Sequence, residues 1–108
     1  MSISVSELAV GDVLYNNIFL LSDFSIKAGK LGSRYLSLKL SDRTGTIPSA
    51  LWENKDLGIV FPEDLDSHFQ INGFVKVQGI VKQMPEDRGG RKYVQLNLVK
   101  VIDQEYEF

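Results

Sequence analysis

Among side chains able to do chemistry, nucleophiles and metal ligands are the scarcest in this sequence: there is one histidine, His68, and no cysteine. A disulfide framework and a thiolate metal site are thereby excluded. A lone imidazole within an acidic stretch reads as a surface or helix-end residue. The 14 acidic residues show no Asp-x-Asp-x-Asp spacing of the kind that gathers a hard cation, and Asp42 is accounted for by a turn. Gly29, Gly32, Gly89 and Gly90 fall between strands, where glycine permits turns. None of them belongs to a phosphate-binding loop that follows a strand and opens a helix. The chain is therefore read as carrying no catalytic site, metal or cofactor. What remains is a set of aromatic and basic residues, and these are the types that stack on bases and pair with phosphates.

Charge distribution bears on that reading. The net charge is −2. However, residues 53–66 hold Glu53, Asp56, Glu63, Asp64 and Asp66 against Lys55 alone, and the tail holds Asp103, Glu105 and Glu107 with no base. Outside those stretches 11 basic residues face 6 acidic ones. A binding face feels this local excess rather than the global sum.

The elements that must position these groups are strands. Residues 34–41 alternate, with Leu36, Leu38 and Leu40 on one face and Tyr35, Ser37 and Lys39 on the other. Asp42-Arg43-Thr44-Gly45 is a turn. The return strand puts Ile47, Ser49 and Leu51 on one face and Pro48, Ala50 and Trp52 on the other. Residues 74–84 place Val75, Val77, Gly79 and Val81 against Phe74, Lys76, Gln78, Ile80 and Lys82. After a flexible loop from Pro85, residues 91–102 place Val94, Leu96 and Leu98 inward and Tyr93, Gln95 and Asn97 outward. Asp12 to Lys27 reads as a long bent first strand, although its Ile18-Phe19-Leu20-Leu21 run does not assign faces. In the connector, Pro62 and its acids predict a short helix at about 62–69, with Leu65 and Phe69 one turn apart.

A long strand, a hairpin, a helix and a second hairpin, in that order, describe a five-stranded OB barrel of Greek-key type, all-β, with one short helix between strands 3 and 4. At 108 residues the chain is one such domain, with a core over about 10–103, and 104–108 reads as the start of an acidic linker. Gly79 inside strand 4 suits a bend at a barrel corner. In such barrels strands 2 and 3 floor the ligand groove, which places Tyr35, Trp52 and Lys39 on it. Tyr93, on the outward face of strand 5, joins this set. One flanking loop supplies Lys27, Lys30 and Arg34, and the other Arg88, Arg91 and Lys92; Lys76 and Lys82 extend the outer face. The expected partner is single-stranded RNA or DNA, held without regard to base identity. Two plainer alternatives stand beside it: Trp52 packs beneath the connector or a neighbouring domain, or the barrel is a protein-interaction module. No apolar run is long enough to span a membrane. The first residues lack the basic and apolar regions of a secretory signal, and with no cysteine the expected compartment is the cytoplasm.

Tyr35-Leu-Ser-Leu-Lys-Leu-Ser-Asp-Arg-Thr-Gly-Thr-Ile47, followed by Ala50-Leu-Trp-Glu-Asn54, resembles the OB segment of bacterial 3′–5′ exoribonucleases that join an N-terminal OB domain to an HD phosphohydrolase domain. Gly73 to Gly79 and Val94 to Leu98 are also similar to that family. So, more loosely, are single-strand binders such as replication protein A. The resemblance implies that the chain is the substrate-gripping N-terminal part of a larger exoribonuclease whose downstream HD domain does the cutting. The sequence departs from the family at Pro48, where a polar residue is usual, and in its longer 54–72 connector. Pro48 removes a strand donor, which predicts an edge or bulge there.

Overall fold

The computed structural model describes residues 4–29, 32–61, 63, 67, 69–102, 106 and 107. Strands β1 (Val13–Ala28), β2 (Arg34–Asp42), β3 (Gly45–Trp52), β4 (Phe74–Gln83), β5 (Lys92–Val101) and β6 (Tyr106–Glu107) form one sheet in the order β3-β2-β1-β4-β5-β6. Parallel pairs Ser49–Val94 and Ala50–Gln95 close the sheet into a barrel between β3 and β5. Pro48 lies one residue before those pairs, on an edge of β3 not yet engaged, so its missing N–H is tolerated there. Residues 106 and 107, within the segment read as the start of a linker, pair with Val101 and Lys100.

The period-2 pattern locates the core. Leu36, Leu38, Leu40 and Leu51 are completely buried, as are Val77 and Val94. The buried hydroxyl of Ser49 is satisfied by the Leu38 carbonyl at 2.9 Å. Asp42 closes the β2–β3 turn through the Thr44 N–H at 2.7 Å, and its second oxygen accepts the Val5 N–H at 2.9 Å. Desolvation alone would raise this carboxyl, but the hydrogen bonds from Thr44, Val5 and Gly45 outweigh it and hold Asp42 below its ordinary pKa.

β1 bends around the barrel at two irregularities, between Leu14 and Asn17 and between Leu21 and Asp23. Asn16 takes a left-handed φ of 56° at the first. The Ile18-Phe19-Leu20-Leu21 run does alternate: Phe19 and Leu21 are buried while Ile18 faces out. The run was illegible because its outward positions are also apolar. β5 departs from the expected pattern. A bulge pairs Gln78 with Leu98 but Gly79 with Leu96, so the strand changes faces at Asn97. Leu98 is only half-buried, and Val99 and Val101 fill the core in its place. Gly79 is required by close approach: a Cβ there would lie 2.4 Å from the Gln95 carbonyl oxygen.

The helix expected at about 62–69 is a correction. Residues 62, 64–66 and 68, His68 and Leu65 among them, lie outside the described residues. Of the described positions, Ser67 belongs to a 3-10 turn, and 61, 63 and 69 belong to no helix. The described part of the connector holds a 3-10 turn, Lys55–Leu57, capped by the Asn54 side chain and ended by left-handed Gly58. Phe61 and Phe69 close that end of the barrel instead, 4% and 6% exposed, with Phe69 against Phe24 at 5.5 Å between centroids.

Candidate nucleic-acid interface

Three outward rows run across β1, β2 and β3. Antiparallel register sets Lys27 beside Tyr35 beside Trp52, Ser25 beside Ser37 beside Ala50, and Asp23 beside Lys39 beside Pro48. The first row begins with Lys27 and ends in a ring pair. Tyr35 and Trp52 lie 4.6 Å apart between centroids, tilted by 35°, a geometry favoured for aromatic pairs. Trp52 remains 43% exposed.

The β1–β2 loop rises on one side of these rings and the β4–β5 loop on the other. Between them lies a groove of about 560 Å³, whose lining includes Gly29, Tyr35, Ala50, Trp52, Pro85 and Tyr93. A second groove of about 610 Å³ lies at Pro48 and Thr46, further along the outward row of β3, and is walled by Gly89, Gly90, Arg91 and Lys92. The β4–β5 loop is held by hydrogen bonds from Met84 N–H to the Arg91 carbonyl at 2.8 Å and from Gln83 Nε2 to the Gly90 carbonyl at 2.9 Å.

No family model matches the chain, and no curated protein matches it. Among solved structures, the solution NMR structure of the second OB-fold domain of replication protein A from Methanococcus maripaludis is similar, with a TM-score of 0.59 and 22% identity over 95% of this chain and 96% of that one. The chain has the OB fold. The groove across β2 and β3, between the β1–β2 and β4–β5 loops, has the position of the ligand groove of OB barrels.

Of the residues singled out from the sequence, Tyr35, Trp52 and Tyr93 line one groove of this OB barrel. Lys39 is exposed on the same face two rows away, opposite Pro48. Arg91 and Lys92 wall the second groove. Arg88 lies in the 3-10 turn Glu86–Arg88 of the β4–β5 loop, and Lys30 lies outside the described residues.

Three cations are placed otherwise. Arg34 precedes Tyr35, so strand alternation turns it to the opposite face. There its Nε and Nη2 donate to the two Glu53 oxygens at 3.1 and 2.8 Å, and its guanidinium lies over the Phe61 ring. The Arg34 hydrogen bonds hold the Glu53 carboxyl below its ordinary pKa, aided by the Phe61 N–H at 2.9 Å, and raise that of Arg34. Lys92 donates from Nζ to the Leu8 carbonyl at 2.8 Å and so ties the N-terminal segment to β5. Lys76 pairs with Ile18 and Lys100 on the β1–β4–β5 face, six residues before Lys82 and hence about 20 Å along β4 from the groove end.

Nothing in the sequence marked Gly29, Ala50 and Pro85 as lining residues, or Lys27 as the cross-strand neighbour of Tyr35. The signal for Lys27 lay in the strand register, which one sequence does not give. Among the described residues, no cluster of three or more His, Cys, Asp or Glu side chains could hold a metal ion.

Proposed function

We propose that this OB domain binds single-stranded nucleic acid, RNA or DNA, with little regard to sequence. The observation that carries the reading is the Tyr35–Trp52 pair, 4.6 Å between centroids and with Trp52 43% exposed, on the floor of a groove that Tyr93 also lines. A solvent-facing indole in a groove is apolar surface waiting for a flat apolar ligand, and every base offers one. In this reading Tyr35, Trp52 and Tyr93 stack on bases. Lys27, Lys39 and Arg91 neutralise phosphates, joined by Lys30 and Arg88 from the loops. The sequence resemblance supports a finer reading: the domain is the substrate-gripping part of a larger 3′–5′ exoribonuclease with a downstream HD domain, acts in the cytoplasm and performs no catalysis itself.

Anisotropy of labelled oligo-dT and oligo-U, each against a duplex control, tests the binding. Preferential capture of both single strands supports it; no binding at low salt to either overturns it.

One observation favours a second reading, a protein-interaction module. On the face away from the groove, Val13 and Tyr15 are each 72% exposed, Ile18 48% and Phe74 51%. An apolar surface of that kind is a feature of docking faces. Co-purification of a partner that is lost on Ile18→Ser and Phe74→Ser, together with no single-strand binding, would favour it.

A further inference from the structure

Gly29 sits where β1 hands over to the loop that walls the groove. Its φ lies outside the left-handed region, so its backbone conformation does not call for glycine, in contrast to Gly32 at φ 79°. Its N–H donates to the Ser33 carbonyl at 2.6 Å, a bond any residue but proline can make. What excludes a side chain is Trp52. A Cβ on Gly29 would lie 2.8 Å from both Cη2 and Cζ3 of the indole, nearer than real Cβ contacts come. The next nearest atom, the Ser33 carbonyl oxygen, is at an ordinary 3.6 Å.

The indole is thus held between two neighbours. Tyr35 packs against it at 4.6 Å between centroids, and the bare backbone of Gly29 seats the far edge of its six-membered ring. A ring so held keeps its orientation before any ligand arrives, and pre-organisation of this kind lowers the ordering cost of binding. The atoms that a Cβ would strike are the outer end of a side chain, which can swing away. A methyl group at position 29 would therefore displace the indole and leave the barrel intact.

We propose that Gly29 is a positioning residue for the stacking platform: the missing side chain lets Trp52 seat on the β1–β2 loop in the orientation that receives a base. The proposal rests on the single-strand reading of the groove and assigns the loop a part in it that does not depend on charge.

The test is a double-mutant cycle of Gly29→Ala and Trp52→Ala, with affinity for fluorescein-labelled oligo-dT as the readout and thermal melting as the fold control. Trp52→Ala should weaken binding by about 5- to 150-fold, the range for one stacking partner. Gly29→Ala should weaken it by part of that, about three- to tenfold, with a changed Trp52 emission spectrum. In the Trp52→Ala background Gly29→Ala should cost nothing further, because the group it displaces is gone. Gly29→Ser provides a second small side chain and should behave as Gly29→Ala does. Wild-type affinity for Gly29→Ala, or an equal loss with and without Trp52, would overturn the positioning role. Unchanged affinity for Trp52→Ala would instead overturn the stacking reading beneath it.

Discussion

Replacing Arg91 and Lys92 by alanine one at a time should give opposite results, although the two residues are adjacent and carry the same charge. Arg91 is exposed on the wall of the β3 groove and makes no ion pair among the described residues. Lys92 spends its ammonium on the Leu8 carbonyl at 2.8 Å, and Leu8 itself is 1% exposed. For a single strand each neutralised phosphate contributes about −0.7 to the slope of log K against log [salt]. Arg91→Ala should therefore flatten the slope by roughly 0.7. Raised salt, from roughly 50 to 200 mM, would then cost about 2.6-fold less affinity than in the wild type. Its melting temperature should stay within about 2–4 °C, as for other exposed substitutions. Lys92→Ala should leave the slope alone and free the N-terminal segment. A hydrogen bond from a charged donor contributes about 1.5–3 kcal/mol; discounted for the exposure of the lysine, about 1 kcal/mol is lost. For a domain of this size that is about 4–8 °C in the melting midpoint. Anisotropy titrations at four salt concentrations and calorimetric melts measure both quantities. If Lys92→Ala flattens the slope at constant stability while Arg91→Ala lowers the melting temperature, the assignment of the two cations is reversed and the reasoning fails.

Gly79→Ala should destabilise the barrel by about 1–3 kcal/mol, the usual cost of overpacking, because its Cβ would meet the Gln95 carbonyl oxygen at 2.4 Å, a backbone atom that cannot swing aside; a melt unchanged from wild type would contradict the close β4–β5 approach. Glu53→Gln should flatten the acid limb of the stability curve. The folded pKa of Glu53 is lowered by Arg34, so its contribution is present above the unfolded glutamate value of about 4.3 and is lost as pH falls through the folded value. Urea melts between neutral and strongly acidic pH would show this, and wild-type and variant curves that stay parallel would refute it. Arg34→Ala should lower the melting temperature without altering the salt slope, since Arg34 is committed to Glu53 on the opposite face from Tyr35. A flatter slope would return Arg34 to the groove.

The two hairpins were legible because the turn Asp42 to Gly45 and the leucines at 36, 38 and 40 are local signals of period two. The same parity put Tyr35 and Trp52 on one face. It also held the answer for Arg34, which must point away from Tyr35; treating it as part of the basic loop ignored that. Parity failed at Leu98 because the Asn97 bulge exists only in relation to β4, and a single strand carries no mark of its partner's register. The connector was harder to read: proline and acids favour a helix start, whereas the burial of Phe61 and Phe69 is marked by no local period. Gly29 looked like turn punctuation. Its role depends on an indole 23 residues away, which only the closed hairpin brings to it.

The central claim is that Trp52 receives a base while nearby cations hold the strand. Trp52 is the sole tryptophan, so its fluorescence reports on the groove without a label. Titration with an unlabelled single-stranded oligonucleotide should quench it saturably. The binding constant should fall with salt at a slope near −2 to −3, as expected for about three or four phosphate contacts. Saturable binding with no change in Trp52 emission, or binding whose constant is indifferent to salt, would contradict the account.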